Sequence, residues 1–458
     1  MSRAPSTAWV EALRAALPDP TALAIDPDIL ATYARDQAPL APAGAAVALV
    51  RARTVDDVVA TLRFAHARAL PVVTRGAGTG LAGGANAIDG CILLSVAALD
   101  RIVHIDDLAR TAVVEPGVLN ATLADAAAAR GLYYAPDPAS RAISTIGGNI
   151  ATNAGGSCCL KYGVTGDHVL ALGVVLADGT RIRTGAATRK NVAGLDLTRL
   201  LVGSEGTLGV IVEATVRLLR APRRPSTLVA FFPRLEAAAA AIVELDRHDL
   251  SLLEIMDRTT IGAVEDLTHM GLDTEAAAFL LAQTDAPDAA TVIAACEAIC
   301  QAHAATSVLV TDDPEEGRQL LAARRLALPA LEKRGTTLLD DIAVPRPAMI
   351  AMLARIPAIA AEHDVLVGTF GHAGDGNLHP TIVFDHADPA SVTAAYAAFD
   401  AILRHAVSLG GTITGEHGVG SLKRDYLAAM VDAPERALMR RIKEAFDPRG
   451  ILNPGKGY

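Results

Sequence analysis

Apolar and polar positions alternate differently in the two halves of the chain. In the first half, short apolar segments with the two-residue period of β-strands are separated by glycine-rich turns. In the second half, strand-like segments alternate with alanine-rich stretches of helical length, a pattern that predicts a sheet covered by helices. The predicted fold class is α+β, with a second domain in the second half.

The same pattern places individual elements. In the first half it predicts helices over 55–69 and 120–129, each between apolar strands. In the second half it predicts strands within TLVAFF, AAAFLLAQ and LDDIAVP, a last helix within ERALMRRIKEAF, and helices near 235–247, 287–303, 315–333 and 346–363. The segment APRRPS, in which prolines flank paired arginines, predicts a linker at 221–226.

Composition narrows the class of protein. A chain of 458 residues predicts two or three domains with a large buried interior. Its 51 acidic against 41 basic residues give a formal charge of -10, which excludes nucleic acid as the expected partner. The odd number of cysteines, five, predicts reduced thiols in the cytoplasm, and the spacing of Cys296 and Cys300 predicts core packing.

Targeting and membrane signals are also informative. The N-terminus has no cationic segment followed by a long apolar one, so we expect no secretory signal. The longest uncharged run, 142–160, is rich in Gly, Asn, Ser and Thr, which argues against a transmembrane segment. We expect a cytoplasmic protein, and peripheral attachment to a membrane complex stays open.

The stretch GHAGDGNLHP at 371–380 carries two histidines seven positions apart. The glycines between His372 and His379 argue against a helix, and apolar alternation on both sides predicts strand, turn, strand. Such a turn returns both imidazoles to one place. The stretch therefore predicts a metal site that needs a third ligand from elsewhere.

The loop RGAGTGLAGG at 75–84 contains Gly78, Gly80 and Gly83 at the spacing of a dinucleotide-binding motif. That motif requires a helix to begin within the glycines, whereas GANAIDG here leads directly into the strand CILLSV. Backbone amides freed of side chains can instead form a nest around a diphosphate. We therefore predict an anion-binding loop in preference to a merely flexible one.

Two further glycine-rich loops follow in the first half. The loop at 136–157 is longer than ordinary connections, and its Asn149, Thr152 and Asn153 offer hydrogen bonds to a flat polar ring system. The loop LVGSEGTLGVI at 201–211 adds Glu205 and leads into a strand. Three such loops in one half predict one large, extended ligand.

These stretches occur in a recognisable order: RGAGTGLAGG, STIGGNIATNAGG, GSEGTLGVI, GHAGDGNLHP, TGEHGVG and FDPRGILNPGK. The set resembles the FAD-linked D-2-hydroxyacid dehydrogenases of the vanillyl-alcohol-oxidase superfamily, a group that includes glycolate oxidase catalytic subunits, D-lactate dehydrogenases and D-2-hydroxyglutarate dehydrogenases. The resemblance runs from about residue 45 to the C-terminus. It implies a two-part FAD-binding domain formed by 1–220 and the returning segment 431–458, with an α+β substrate domain at 221–430.

The resemblance also implies a set of cofactor-binding residues. The first loop would wrap the FAD pyrophosphate, the second would lie along the isoalloxazine and ribityl chain, and the third would line the adenine side. The first loop has no histidine, so we expect non-covalent FAD. The implied FAD-binding residues are Arg75, Gly76, Ala77, Gly78, Thr79, Gly80, Leu81, Pro136, Ser144, Thr145, Gly148, Asn149, Ala151, Thr152, Glu205, Gly206, Ile211 and Asn453.

The stretch TGEHGVG supplies the third metal ligand. Glu416 would complete a set with His372 and His379, and two imidazoles with one carboxylate suit Zn²⁺ or Mn²⁺. The same ligands occur in non-haem Fe(II) oxygenases, but a flavin removes the need for a redox metal. The simpler alternative is that both histidines are ordinary turn residues and that Glu416 is a surface carboxylate.

Two further residues match roles in the family. His417 matches the base that takes the hydroxyl proton, which requires a turn at GEHG because neighbours on a strand face opposite sides. Its alternative role is to orient Glu416. Arg324, next to Arg325, matches a substrate-binding arginine that would bind the carboxylate; its alternative is a solvated helix face.

Specificity and partners follow from the resemblance alone. The family often has Trp at the position of Leu321, so the pocket wall differs here. Relatives that prefer D-2-hydroxyglutarate tend to carry a basic residue where this chain has Leu339, which favours D-lactate or glycolate as substrate. We expect an enzyme with a separate electron acceptor or electron-transfer partner, and a homodimer stays open. The alternatives are a flavin-carrying electron-transfer subunit and a metal-free flavin oxidase.

Overall fold

The computed structural model describes residues 9–188 and 190–458; residues 1–8 and 189 of the predicted domain 1–220 lie outside this description. None of the helices in the described ranges has both the length and the apolar character needed to cross a membrane. These helices, in chain order, are α1 (Val10–Ala16), α2 (Pro27–Tyr33), α3 (Val55–Arg68), α4 (Asn120–Ala128), α5 (Ile146–Thr152), α6 (Cys159–Tyr162), α7 (Thr165–His168), α8 (Leu197–Leu201), α9 (Leu235–Leu245), α10 (Arg258–Thr268), α11 (Ala289–Ala302), α12 (Pro314–Arg325), α13 (Ala327–Glu332), α14 (Met349–Glu362), α15 (Pro389–Ser408), α16 (Leu427–Met430) and α17 (Ala433–Phe446).

The strands of the described ranges belong to four sheets. Short 3₁₀ turns at Pro20–Ala22, Arg346–Ala348 and Arg424–Tyr426 add to the connections. In chain order the strands are β1 (Leu23–Ala24), β2 (Ala48–Arg51), β3 (Val72–Arg75), β4 (Ile92–Ser95), β5 (Ile102–Asp106), β6 (Thr111–Val114), β7 (Leu132–Tyr133), β8 (Val169–Val175), β9 (Arg181–Gly185), β10 (Val210–Arg217), β11 (Leu219–Arg220), β12 (Ser226–Phe232), β13 (Leu252–Asp257), β14 (Ala278–Thr284), β15 (Ser307–Thr311), β16 (Thr336–Leu339), β17 (Ile342–Ala343), β18 (Leu366–His372) and β19 (Asn377–Phe384).

The described residues form two compact units. The first contains 9–155, 164–221 apart from 189, and 416–458, and the second contains 156–163 and 222–415. The predicted domain boundaries, 1–220, 221–430 and 431–458, assign 156–163, 221 and 416–430 differently.

The first unit contains a four-stranded sheet in the order β1-β2-β4-β3, in which β2 and β3 both run parallel to β4. Helix α3 connects β2 to β3 and begins at a capping box of Thr54 and Asp57. The C-terminal segment joins the edge of this sheet, where Leu452 lies beside Val72 in a parallel bridge. A second, antiparallel sheet has the order β5-β6-β10-β8-β9, and a short pair is formed by β7 and β11.

The second unit contains one antiparallel sheet in the order β15-β12-β14-β13-β18-β19-β16, with β17 also paired to β19. Helix α11 packs against β12, α10 against β18, and α15 against β19. The hairpin of β18 and β19 has the predicted strand, turn, strand form. The predicted α+β class with helices on an antiparallel sheet is confirmed.

The structure differs from the predicted elements in several places. The predicted loop 136–157 contains α5 (Ile146–Thr152), which is capped by Thr145, whose side chain accepts a hydrogen bond from Gly148 N–H. The helix predicted near 315–333 is divided at Leu326 into α12 and α13. The strand predicted within LDDIAVP is interrupted between β16 and β17 by Asp340 and Asp341.

The pattern also missed helices α10 and α15 of the second unit, besides the single turn of α6. Helix α10 contains Thr and Gly residues of low helix propensity, and tertiary packing on β18 stabilises it. Helix α15 carries the start signals that a search for caps finds, since the Asp388 side chain accepts from Ala390 N–H and Pro389 takes the first helical position.

Candidate functional site

The two hairpin histidines lie together inside the second unit. His372 ends β18, and His379 lies on β19 opposite Phe370. Both histidines are buried, and their ring centroids are 5.2 Å apart with the ring planes at 85°. Because alternate residues of a strand face one side, the hairpin turns both rings toward one place. Their role as metal ligands stays a prediction.

Glu254 on β13 provides the hydrogen-bonding partner of His372, and sequence reasoning missed it. Its Oε1 lies 2.7 Å from His372 Nδ1. Since a carboxylate only accepts, Nδ1 carries the proton and Nε2 carries the lone pair that a metal ligand would require. The signal was a single carboxylate in the otherwise apolar strand LLEIM.

Arg324 lies in the last turn of α12 and is buried, 5% exposed, so the alternative of a solvated helix face does not hold. Its Nη2 forms an ion pair with Glu254 Oε2 at 2.8 Å. Its guanidinium carbon lies 4.8 Å from the centre of the Phe370 ring. Arg325, the next residue, is only half-buried. The substrate-binding role of Arg324 stays a prediction.

A second buried carboxylate, Asp341, fixes the chain just before the predicted third ligand. Asn377 Nδ2 donates to Asp341 Oδ1 at 2.9 Å, and Gly415 N–H donates to Oδ2 at 2.9 Å. Asp341 Oδ1 also lies 3.7 Å from His379 Nδ1. A side chain at Gly415 would lie 2.3 Å from Asn377 Nδ2, so a larger residue would displace the Asn377 amide. Asp341 therefore holds both the hairpin and the segment that leads into GEHG.

Glu416 and His417 follow in the chain and belong to the first unit. Residues 415–417 form a bend, the shape that a shared site for two neighbouring residues requires. Both side chains are half-buried, and His417 Nε2 lies 3.6 Å from Glu416 Oε1. A side chain on Gly155, at the end of the second glycine loop, would meet Glu416 Oε2 at 2.4 Å. Glu416 therefore lies against that loop.

The three glycine loops converge in the first unit. A side chain on Gly76 in the first loop would meet Thr145 Oγ1 of the second at 2.4 Å. Glu205 N–H in the third loop donates to Ala151 O at 2.8 Å. Asn453 Nδ2 in the C-terminal segment donates to Glu205 O at 2.7 Å. These contacts gather the loops around one place, as one extended ligand requires.

Several buried polar atoms at this convergence have no hydrogen-bonding partner among the described residues. They are Ser144 Oγ, Asn149 Nδ2, Asn453 Oδ1 and Thr74 Oγ1. Buried polar atoms are normally satisfied, so such a group indicates a ligand with donors and acceptors of its own. The residues present therefore fit a polar, extended cofactor.

The implied FAD-binding residues lie where these loops meet, and their individual roles stay predictions. The Arg75 side chain turns away and donates to Arg35 O at 2.7 Å and to Tyr33 O at 3.2 Å. In the first loop, Arg75 ends β3 and is followed by Gly76 to Leu81. In the second loop, the chain passes Pro136, Ser144 and Thr145 before α5, which carries Gly148, Asn149, Ala151 and Thr152. The remaining positions are Glu205 and Gly206 after α8, Ile211 on β10 and Asn453 after α17.

Buried charged side chains also lie in this part of the first unit, and the sequence analysis did not identify the cation among them, Lys456. Lys456 Nζ donates to Gly84 O at 3.1 Å and to Asn86 O, and burial lowers the pKa of Lys456 to about 8. Burial raises the pKa of Glu205 and of Asp36, the two carboxyls whose charges favour protonated Lys456. The C-terminal GKGY offered the signal, a lone lysine between glycines.

Converging glycine loops and a buried histidine hairpin define a flavoprotein oxidoreductase, and the family comparison agrees. Residues 46–185 match the FAD binding domain, and residues 221–457, just over half of the chain, match the family described as FAD linked oxidases, C-terminal domain. The chain belongs to the FAD-linked oxidases of the vanillyl-alcohol-oxidase superfamily, and FAD is the cofactor of its FAD-binding domain.

Individual members of this family and one solved structure are similar to the chain over most of its length. The chain is 44% identical over 416 residues to glycolate oxidase subunit GlcD of Bacillus subtilis, covering 90% of this chain and 88% of that one. It is 36% identical over 422 residues to D-lactate dehydrogenase of Anaerostipes hadrus, with 89% and 88% covered. The solved structure of p-cresol methylhydroxylase with substrate bound shares the fold, with a TM-score of 0.81 at 18% identity, covering 98% of this chain and 95% of that one.

Proposed function

We propose that this protein oxidises a D-2-hydroxy acid to the 2-oxo acid, with FAD as the hydride acceptor and a divalent metal in the substrate site. The observation that carries the proposal is the buried hairpin, in which His372 and His379 lie with ring centroids 5.2 Å apart. An electron-carrying flavoprotein alone has no use for two such imidazoles. The names of two relatives, glycolate oxidase subunit and D-lactate dehydrogenase, support hydroxy acids as the substrate class.

The flavin supplies the redox chemistry, because when bound it accepts the hydride from C2 of the substrate at N5. The chain's contribution is to hold and orient it. Ser144, Asn149 and Asn453 carry buried polar atoms without partners among the described residues, and these atoms support a hydrogen-bonding role toward the cofactor. The first loop has no histidine for covalent attachment, which supports non-covalent FAD.

We assign the metal, Zn²⁺ or Mn²⁺, to His372, His379 and Glu416. Such an ion, when bound, lowers the pKa of a hydroxyl group that it binds. Glu254 keeps Nδ1 of His372 protonated, which leaves Nε2 for the metal. Glu416 comes directly after Gly415, whose amide Asp341 fixes at 2.9 Å.

Proton transfer and substrate binding fall to two further residues. We assign His417 as the base that takes the hydroxyl proton at one ring nitrogen, while its neighbour Glu416 serves as ligand. The Arg324 guanidinium would bind the substrate carboxylate, since a planar fork matches two carboxylate oxygens. Leu339 offers no cation for a second substrate carboxylate, which favours D-lactate or glycolate over D-2-hydroxyglutarate.

The electron acceptor is a second part of the proposal. The Bacillus subtilis relative is named as a subunit of glycolate oxidase. This supports transfer of electrons from the reduced flavin to a partner polypeptide. Oxidation without metal by a flavin oxidase is the competing function, and it predicts activity that is indifferent to chelators.

Anaerobic reduction of the purified yellow protein tests the proposal. A panel of D- and L-2-hydroxy acids is added to the protein as purified, after EDTA, and after readdition of Zn²⁺ or Mn²⁺. We expect D-lactate or glycolate to bleach the flavin absorbance, EDTA to abolish bleaching, and the metal to restore it. Faster bleaching by L-isomers, or full bleaching after EDTA, would contradict the proposal.

A further inference from the structure

A fully buried carboxylate lies on the central strand of the second unit's sheet. Glu254 on β13 is 0% exposed, and in the pairing of β13 with β18 it lies opposite His372. The two residues on each side of it along the strand are apolar, LLEIM. Burying an unpaired carboxylate in such a place is strongly unfavourable, so Glu254 requires partners that compensate its charge.

Each oxygen of Glu254 has its own partner. His372 Nδ1 donates to Oε1 at 2.7 Å, and Arg324 Nη2 forms an ion pair with Oε2 at 2.8 Å. Beyond these partners, the Arg324 guanidinium lies over the Phe370 ring at 4.8 Å, and the Phe370 ring centroid is 5.4 Å from that of His379. The contacts form a closed ring of five side chains inside one unit.

We propose that Glu254 is the positioning residue of this site and that one carboxylate orients both the metal ligand His372 and the substrate-binding Arg324. The inference rests on the proposed function, in which Glu254 keeps Nδ1 of His372 protonated, and adds that the same carboxylate orients the substrate-binding Arg324. Oε1 fixes the tautomer and ring orientation of His372, so Nε2 is directed to the metal. Oε2 fixes the guanidinium at a constant distance from that same imidazole.

In this proposal, metal binding by His372 and carboxylate binding by Arg324 both depend on Glu254. Partners of this kind behind metal-bound histidines affect metal affinity by about 10- to 100-fold. A change at Glu254 therefore alters metal affinity and carboxylate binding together, although Glu254 contacts neither the metal nor the substrate in this proposal.

The test uses Glu254→Gln, which keeps the side-chain length. A glutamine offers one acceptor and one donor group, and both partners are donors, so one of the two contacts is lost. Affinity for Zn²⁺ and Mn²⁺ is measured on the FAD-loaded protein by competition with a chromophoric chelator, and the absorption spectrum of the Co²⁺-substituted protein is recorded. We expect a 10- to 100-fold weaker affinity and an altered Co²⁺ spectrum, at unchanged flavin content.

Asp257→Asn is the matched control. Asp257 is a carboxylate three positions further along β13, and its partners are the amides of Thr260 and Thr369. Its replacement removes a carboxylate from the same strand, and we expect metal affinity equal to that of the wild type. A loss in this control as large as that in Glu254→Gln would overturn the proposal, because it would trace the effect to the strand itself.

The outcomes separate the two levels of inference. Wild-type affinity in folded Glu254→Gln would overturn the positioning role and leave the proposed function intact. A wild-type protein that binds neither ion would overturn the metal part of the proposed function and this inference with it. If Glu254→Gln does not fold, Glu254→Asp replaces it, because its shorter carboxylate cannot span both partners; the same loss of affinity is expected, and wild-type affinity there would overturn the proposal.

Discussion

The Glu205 carboxylate holds the backbone of Val419, whose N–H donates to Oε1 at 2.8 Å, and its second oxygen accepts from Gly420 N–H at 2.8 Å. Glu205 belongs to the third glycine loop, and Val419 lies two residues beyond His417. A side chain on Gly418 would meet the Glu205 carboxyl carbon at 3.0 Å, so the turn is closely fitted to this carboxylate. The third loop therefore supports the segment that carries the proposed base.

Replacement of Glu205 by Gln is expected to destabilise the protein. The amide nitrogen of Gln faces a backbone N–H, so one hydrogen bond is lost and two donors oppose each other, at a cost of about 1–3 kcal/mol. Urea unfolding of the two proteins measures the difference. Glu213→Gln is the control, because Glu213 pairs at the surface with Arg183 at 3.2 Å and the loss of this pair should cost less than about 0.5 kcal/mol. Equal midpoints for Glu205→Gln and wild type would contradict the supporting role.

Replacement of His417 by Ala is expected to abolish flavin reduction while metal content stays nearly intact. A general base contributes a factor of about 10² to 10⁴ to the reaction rate. The rate of anaerobic bleaching should therefore fall at least about 100-fold. His386→Ala, a change at an exposed histidine beyond β19, should leave the rate unchanged. Loss of the metal in His417→Ala would instead assign His417 to orienting Glu416.

Removal of the buried amide of Asn149 is expected to weaken FAD binding. Its Nδ2 is buried and has no partner among the described residues, which fits a donor for the cofactor. A hydrogen bond contributes about 0.5–1.5 kcal/mol, so Asn149→Ala should raise the FAD dissociation constant by roughly 2- to 10-fold. Flavin fluorescence during titration of the apoprotein measures it, with the exposed Asn191→Ala as control. Unchanged affinity would exclude Asn149 from cofactor binding.

Asp257 is expected to give the second unit a pH-dependent stability. Its side chain accepts from the amides of Thr260 and Thr369, both at 2.8 Å, and burial raises its pKa from 3.8 to about 6. The folded chain therefore holds this proton over a pH range in which the unfolded chain has lost it. The free energy of unfolding should accordingly fall as pH rises from about 4 to about 6, by on the order of 2–3 kcal/mol from this group.

Urea unfolding between pH 4 and pH 7 measures this dependence in the wild type and in Asp257→Asn. The variant cannot titrate at this position, so its stability should fall less steeply over the same interval. Asp266→Asn removes a carboxylate from the surface, where Asp266 pairs with Arg334 at 2.6 Å, and should keep the wild-type slope. Parallel curves for wild type and Asp257→Asn would show that Asp257 does not titrate in this range.

Local patterns predicted the parts of the site that depend on short stretches of chain. Strand alternation around GHAGDGNLHP predicted the hairpin, and a missing helix signal after RGAGTGLAGG separated this loop from the dinucleotide-binding motif. Both depend on periodicity and turn chemistry within a few residues. The helix α5 inside the second loop was missed because its Gly and Asn residues favour turns, and the Thr145 cap with its surroundings overrides that preference.

The sequence by itself determined the ordered glycine loops, the paired histidines and the α+β elements, because each is written in neighbouring residues. Only the tertiary structure decided which distant side chains form hydrogen bonds to these loops and histidines. Glu254 and His372 are 118 residues apart in sequence, and Glu205 and Val419 are 214 apart. Such pairs arise from strand register and loop closure across the fold, and no local preference of a single carboxylate specifies the partner that it meets.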